Sequence, residues 1–459
     1  MAHRPERLTI GPVAFLVAGL AFMENLDGAI LPTAAPTIAR SFHILSSQLG
    51  ICVTAYIVSV VSFIPVAAWL VEKYGVRPIL FSSVVVFVVA SLLCAASTNL
   101  TELTLMRILQ GIGASAMVPV GRLVVFQSTT KSEMVRAVSY LVWPGLTAPV
   151  IAPVIGGLIV SNTSWHWIFI INLPIGIVAL IVGYKIIPQI GPGQSSKLDW
   201  FGFIGLTISL TSLVFAAAQV GLAKVNVPLA TSLFLLGIVS AVPTIRHLIR
   251  SNKPLVDLAA LKIHTFRTSN GTGTIYRVAH SFTPFLLPLL FQDKFHWSAS
   301  RSGAILFFYM IGNLGFKVAT KPLMRRFRFR PLLIATTILS ALAIFGIVLI
   351  GARTPIFWVG ALLVACGSIR SLGMTLYATL TFADIESEMM PHANTLYSMI
   401  GQLTTSFGVA LAVVSLKLGG SFFAPAQEFK VAFLIAVVLM VISFIGLIPL
   451  SRTAGDSLR

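Results

Sequence analysis

Ionisable side chains stand inside long apolar runs of this chain: Glu24, Asp27, Arg107, Arg122, Arg277, His280, Lys317 and Arg370. A charge in apolar surroundings is costly, and it persists where it meets a partner or lines a polar path. Structural ion pairing is the plainer reading of such residues; a proton and ligand pathway is the functional one. Proton transfer needs a carboxylate whose affinity for a proton changes with its surroundings. Burial disfavours the charged form, and a nearby guanidinium favours it. Asp27 facing Arg107 meets that need. Glu24 is the second candidate, three residues earlier and so on the same helix face. Histidine ordinarily titrates near neutrality, so His280 is a further candidate proton carrier, although a lone His in such a run is as often a packed hydrogen-bonding residue. Bases outnumber acids within the runs, which predicts an anionic visitor. Arg277, His280, Lys317, Arg122 and Arg370 are therefore the candidate substrate-binding residues. Arg suits carboxylates because its planar fork bonds two oxygens.

The elements that must hold these residues follow from composition. The chain has 459 residues, 56% hydrophobic and only 10% charged, with a mean hydropathy of +0.93. Soluble domains carry about 25% charged residues. No soluble core hides this much apolar surface, whereas lipid solvates it directly. Backbone groups in lipid must pair internally, which leaves helices or a closed barrel. The runs are about 20 residues long, which suits helices. The net charge of +18 does not signal nucleic-acid binding, because the basic residues sit between the runs. Cys52, Cys94 and Cys366 lie far apart inside runs and read as small core residues, so no metal site is expected.

Fourteen candidate spans fall near 11–34, 47–70, 79–97, 103–127, 138–160, 165–187, 200–220, 227–245, 269–292, 301–320, 331–351, 355–381, 394–416 and 431–450. The first contains Glu24 and Asp27 and leads into further spans, so it reads as a span and not as a cleaved signal. With the N-terminus inside, most Lys and Arg fall on inner segments. Outer segments hold Arg40, Lys224, Lys294, Arg301, Arg353, Lys417 and Lys430. That asymmetry places both termini in the cytoplasm. One inner loop, Ala383 to Met390, is acidic, and acids count little in this rule.

A polar Gly, Pro and Ser segment from Pro188 to Lys197 marks an organisational break. The division expected is 1–187, a six-helix bundle; 188–250, a linker with two extra helices; and 251–459, a second six-helix bundle. The halves also echo one another. WLVEKYGVRPILF (69–81) resembles PLMRRFRFRPLLI (322–334), offset by 253. Transporters often carry such repeats. The same offset maps Glu24 onto Arg277 and Asp27 onto His280.

Several motifs carry a family resemblance. Span 4 holds LMRILQGIGAS (105–115), span 5 PGLTAPVIAPVIGG (144–157), and span 6 WHWIFIINLPIG (165–176). The loop AAWLVEKYGVRP (67–78) and the first-span segment MENLDGAILPTAAP (23–36) complete the set. Together they resemble the major facilitator superfamily, specifically its fourteen-span drug:proton antiporters and the branch named for multidrug resistance protein MdtD. The likeness extends over nearly the whole chain. It implies an all-α membrane protein: two six-helix bundles plus a central helix pair, fourteen transmembrane helices in all. This sequence departs from the motifs at Glu72 (usually Asp), Ala68, Ala148 and Ala152 (usually Gly) and Pro32 (usually Asn), and it adds Glu24.

The resemblance implies a proton-coupled secondary active exporter in the bacterial inner membrane, moving small molecules out by alternating access. Proton coupling falls to Asp27, Glu24 and Arg107, the gate to Glu72, Lys73, Gly75 and Arg77, and the antiporter motif to Pro149, Pro153, Gly156 and Gly157. The excess of intramembrane bases keeps open a dedicated exporter of an anionic metabolite, such as a polycarboxylate siderophore or iron-citrate chelate. A uniporter or importer on the same fold is a further reading. No Walker loop, metal cluster or nucleophile motif is visible, so neither an enzyme nor an ATP-driven pump is expected. The proton gradient replaces a cofactor, and the partners expected are substrate and lipid, with the chain a monomer and no nucleic acid bound.

Overall fold

An apolar run in lipid must close its own backbone hydrogen bonds, and a helix does this within one segment. The computed structural model describes residues 10–455 apart from 45, 128, 130–132, 188–196, 221–225, 252–253, 298 and 423–426. Every regular element among them is helical. The first half contains α1 (Ile10–Ser41), α2 (Gly50–Tyr74), α3 (Val76–Ala96), α4 (Leu100–Gln127), α5 (Met134–Asn162), α6 (Trp167–Ile170) and α7 (Asn172–Ile186). Then come α8 (Trp200–Val220) and α9 (Val227–Arg250). The second half contains α10 (His264–Leu289), α11 (Ala299–Gly315), α12 (Lys317–Arg326), α13 (Phe329–Val348), α14 (Ile356–Thr381), α15 (Met390–Phe422) and α16 (Glu428–Leu447).

Each of the fourteen spans read from sequence coincides with one helix or one broken helix. The sixth is split into α6 and α7, and the tenth into α11 and α12. Among the described residues, eleven helices are long and apolar enough to cross a membrane. The spans at α5, α10 and α11–α12 fall outside that set. Part of α5 has side chains outside the described residues, and the tenth span is broken before Lys317. α10 is polar along its length, and its Ser269, Asn270, Thr272, His280 and Thr283 are buried. A polar helix avoids lipid by lodging inside the bundle. Ser269 Oγ, for example, donates to the Tyr377 carbonyl at 3.0 Å.

Helices approach closely where small residues permit it. A Cβ on Gly111 would lie 2.6 Å from the Tyr56 carbonyl, and one on Gly113 2.7 Å from the Phe87 nitrogen. α4 is thereby drawn onto both α2 and α3. Within the second half, α11 packs on α14, and α10 on α14, α15 and α16. The halves meet where α15 touches α2 and α4 and where α14 touches α5. α8 and α9 pack on one another, and α8 reaches both α2 and α15. Large apolar side chains such as Leu158, Val239, Leu342 and Phe357 stay exposed, as lipid-facing positions require.

The α8–α9 pair is clasped at its foot. Asp199 accepts from the Gly202 N–H at 2.9 Å, from the Leu255 N–H at 3.2 Å, and faces His247 Nε2 at 2.9 Å. Burial alone would raise the Asp199 carboxyl, but these hydrogen bonds outweigh it and hold it below the usual range. A carboxyl depressed in the fold gives stability above its unfolded pKa of about 4, lost as pH falls through the folded value. Asp199→Asn is therefore expected to lower thermal stability at neutral pH and to lose this acid-sensitive step. Melting curves across acidic pH check it, and an unchanged acid profile would remove Asp199 as the source.

Candidate functional site

Two polar sites share the helix face that carries Glu24 and Asp27. The first is sealed. Asp27 is 1% exposed and Arg107 0%. Arg107 Nη1 donates to Asp27 Oδ2 at 2.5 Å and to Gln110 Oε1 at 2.6 Å. The other carboxylate oxygen, Asp27 Oδ1, accepts from Gln110 Nε2 at 2.9 Å and Asn172 Nδ2 at 2.8 Å. Ser91 Oγ accepts from the same two amides at 2.7 and 3.2 Å. The Arg107 guanidinium also lies 4.3 Å from the Tyr56 ring. Residues of five helices, α1, α2, α3, α4 and α7, thus gather around one carboxylate, and pairing is what makes its burial tolerable.

Asp27 and Arg107 are the pair expected from sequence, and the fold brings them together. Gln110 and Asn172 lie in the quoted span 4 and span 6 motifs, but sequence reasoning gives neither a role at the carboxylate. Ser91 carries no signal, being one hydroxyl in an apolar run.

The second site is a cavity of about 480 Å³ between the halves. Glu24 and Arg122 line it from the first half, and Arg277, Arg370, Tyr397 and Gln402 from the second. Gln402 Nε2 donates to Glu24 Oε1 at 3.4 Å. The Arg122 and Arg277 guanidiniums lie 5.0 and 5.2 Å from the same Tyr397 ring. Arg370 Nη1 donates to Tyr309 Oη at 3.0 Å. Three guanidiniums against one carboxylate make a positive chamber.

The other two basic candidates point elsewhere. His280 Nε2 is 3.1 Å from Ser340 Oγ, and its ring lies 4.5 Å from Tyr276. Lys317 Nζ donates to Thr375 Oγ1 at 2.8 Å. Neither lines the cavity. The offset of 253 acquires a spatial meaning here. Glu24 and Arg277 line the chamber, whereas Asp27 and His280 are buried away from it.

At one end of the cavity the halves are held together. Asn394 Nδ2 donates to the Pro119 carbonyl at 2.8 Å, and Arg122 Nη1 to Ser398 Oγ at 3.0 Å. Phe126 and Phe382 meet edge-on at 4.8 Å. Glu72 Oε1 stands 3.9 Å from His392 Nε2, joining α2 to α15. The neighbouring candidates stay within the first half. Arg77 Nη2 donates to the Tyr184 carbonyl at 2.6 Å, and Lys73 Nζ lies 5.0 Å from the Trp69 ring. Gly75 makes the turn from α2 to α3 with φ of 90°, a conformation glycine adopts without strain. On α5, a Cβ on Gly156 would meet Ile30 at 2.8 Å, while Gly157 has open space. The side chains of Pro149 and Pro153 lie outside the described residues.

Comparison with known proteins accounts for this architecture. The family model for the Major Facilitator Superfamily matches residues 17–409 and, in a second match, 272–458. The transport protein HsrA of Haemophilus influenzae is 30% identical over 451 residues, 97% of each chain. The multidrug resistance protein MdtD of Citrobacter koseri is 32% identical over 415 residues, 88% of this chain and 86% of the relative. That of Escherichia fergusonii is 33% identical over 414 residues, with 89% and 86% covered. The human organic anion transporter MFSD10 shares the fold, with a TM-score of 0.67 at 14% identity over 96% of this chain and 99% of its own. An all-helical chain with a chamber between two halves, alike over nearly its full length to transporters of this kind, belongs to the major facilitator superfamily and to its MdtD-like branch.

Proposed function

We propose that this transporter is a proton-coupled exporter of the drug:proton antiporter type, placed in a bacterial inner membrane with both termini in the cytoplasm. The observation that carries the reading is Asp27, buried against Arg107, Gln110 and Asn172. Protonating Asp27 removes the charge that attracts Arg107. A charge-assisted hydrogen bond is roughly twice as strong as a neutral one, so the tie between α1 and α4 weakens when the proton arrives. The bundles 1–187 and 251–459 then rock about the chamber, with 188–250 as the connecting segment. In this orientation the end held by Glu72, His392, Asn394 and Pro119 is the cytoplasmic one, and these contacts form the inner gate. The relatives' names support drugs as cargo.

A second reading is favoured by the chamber itself. Arg122, Arg277 and Arg370 against Glu24 fit an anionic metabolite, such as a polycarboxylate siderophore or iron-citrate chelate, better than a hydrophobic cation. Proteoliposomes with an imposed pH gradient test both, using citrate and ethidium as probes. Proton-coupled export requires the gradient to drive at least one of them, and gradient-independent movement of both would sink it. Anion specificity requires citrate movement that Arg277→Ala lowers by about tenfold, the loss of one charged hydrogen bond. Citrate movement unaltered by that change would leave the drug reading alone.

A further inference from the structure

Tyr56 stands close to both the sealed nest and the chamber. It lies on α2, 5% exposed, one turn from Val60, which lines the chamber. Its ring is 4.3 Å from the Arg107 guanidinium on one side. On the other, ring atom Cε1 lies 3.9 Å from the Cβ position of Gly28, next to Asp27 and one turn beyond Glu24. The ring thus touches both the guanidinium that pairs with Asp27 and the helix that carries Glu24 and Asp27.

Unpartnered polar atoms cluster in this region. Among the described residues, Glu24 Oε2, Tyr56 Oη, Arg107 Nε, Arg107 Nη2 and Asn172 Oδ1 are buried without a hydrogen-bond partner in the protein. Buried polar atoms are rarely left so, and lipid offers nothing to bond. The set mixes donors and acceptors, the lining that ordered water requires. Gln402 and Arg122 face Glu24, while Cys52 and Cys94 are the other titratable groups beside Arg107.

We propose that Tyr56 and ordered water beside it carry protons between Glu24 at the chamber wall and Asp27 in the sealed nest. The inference rests on the proton-coupled reading and assigns it a route. Glu24 Oε2 releases its proton to water, which passes one to Tyr56 Oη as the phenol gives its own proton to a second water. That water protonates Asp27. At Tyr56 one O–H bond forms and one breaks, so the phenol is neutral before and after. The net change is one proton from Glu24 to Asp27. The free N–H groups of Arg107 and the Asn172 carbonyl oxygen orient the second water.

The test needs no cargo. The full chain, reconstituted in lipid, is taken from alkaline to acidic buffer while infrared absorption follows the carboxylic C=O bands, assigned with Asp27→Asn and Glu24→Gln. Tyr56→Phe keeps the ring against Arg107 and removes only the hydroxyl. In it the Glu24 band should appear at the wild-type rate and the Asp27 band about a hundredfold later, as for a lost proton-transfer group. The Asp27 midpoint pH should stay unchanged. Glu24→Gln should delay the Asp27 band likewise. An Asp27 band at wild-type rate in Tyr56→Phe overturns the relay, and so does a delay accompanied by a shifted midpoint, which marks a positioning role. If Asp27 takes up no proton in the wild type, the proton-coupled reading itself falls, and the relay with it.

Discussion

Asp27→Asn is expected to abolish gradient-driven transport and to destabilise the fold, and adding Arg107→Gln to restore the stability without the transport. The reasoning starts from burial. Both side chains are within 1% of complete burial, so neither charge reaches water. Removing one partner of such a pair leaves the other uncompensated, at a cost of about 3–5 kcal/mol. The amide introduced by Asp27→Asn would still accept from one neighbouring amide, but the Arg107 charge would have no counterion. A neutral side chain in Arg107→Gln ends that imbalance and can still bond Gln110. Thermal unfolding should therefore fall in the single variant and recover in the double. Transport should be lost in both, because the proposed proton carrier is gone. A double variant that responds to the pH gradient would dissociate Asp27 from coupling altogether.

Gly367→Val is expected to separate α11 from α14 and to carry Arg370 out of the chamber. A Cβ on Gly367 would stand 2.0 Å from the Tyr309 carbonyl oxygen and 2.9 Å from the Asn313 nitrogen. The reciprocal contact is as close, since a Cβ on Gly312 would stand 2.0 Å from the Val364 carbonyl oxygen. These neighbours are backbone, so the helices must move apart. Overpacking costs about 1–3 kcal/mol, and backbone clashes belong at the upper end. Arg370 follows Gly367 on α14 and donates to Tyr309 on α11, so the cavity loses a guanidinium as the helices part. Gly157→Ala is the control, because nothing lies within 4 Å of its Cβ position. Its effect should stay within about 0.5 kcal/mol. Thermal unfolding of the two variants compares them directly, and equal melting temperatures would show that close approach of α11 and α14 is dispensable.

Some of this was readable before any fold was known. Hydropathy located the spans, because lipid imposes the same demand on each run. The Asp27 and Arg107 pairing followed from the cost of intramembrane charge and from the motifs. What hydropathy does not carry is direction within the bundle. Arg277 and Lys317 look alike in sequence, each a base in an apolar run. α10 turns Arg277 toward the chamber, while Lys317 begins a new helix after the break at Phe316 and meets Thr375. Tyr56, Ser91 and Asn172 depend on contacts between helices far apart in the chain. No local pattern distinguishes Ser91, which bonds the preceding turn and also accepts from Gln110 and Asn172, from Ser59, which bonds the preceding turn at Ala55.

Arg122 belongs to two structures at once. It lines the chamber, and through Ser398 it helps hold α4 against α15. The Nη1 hydrogens spent on Ser398 are not free for a guest in the same geometry. Any affinity measured for an anion that takes this guanidinium therefore includes the work of loosening the seam, and tight binding and a tight seam oppose one another. A chamber with an unusually strong grip on its guest would need a seam that parts easily, so occupancy and closure at this end form a single equilibrium.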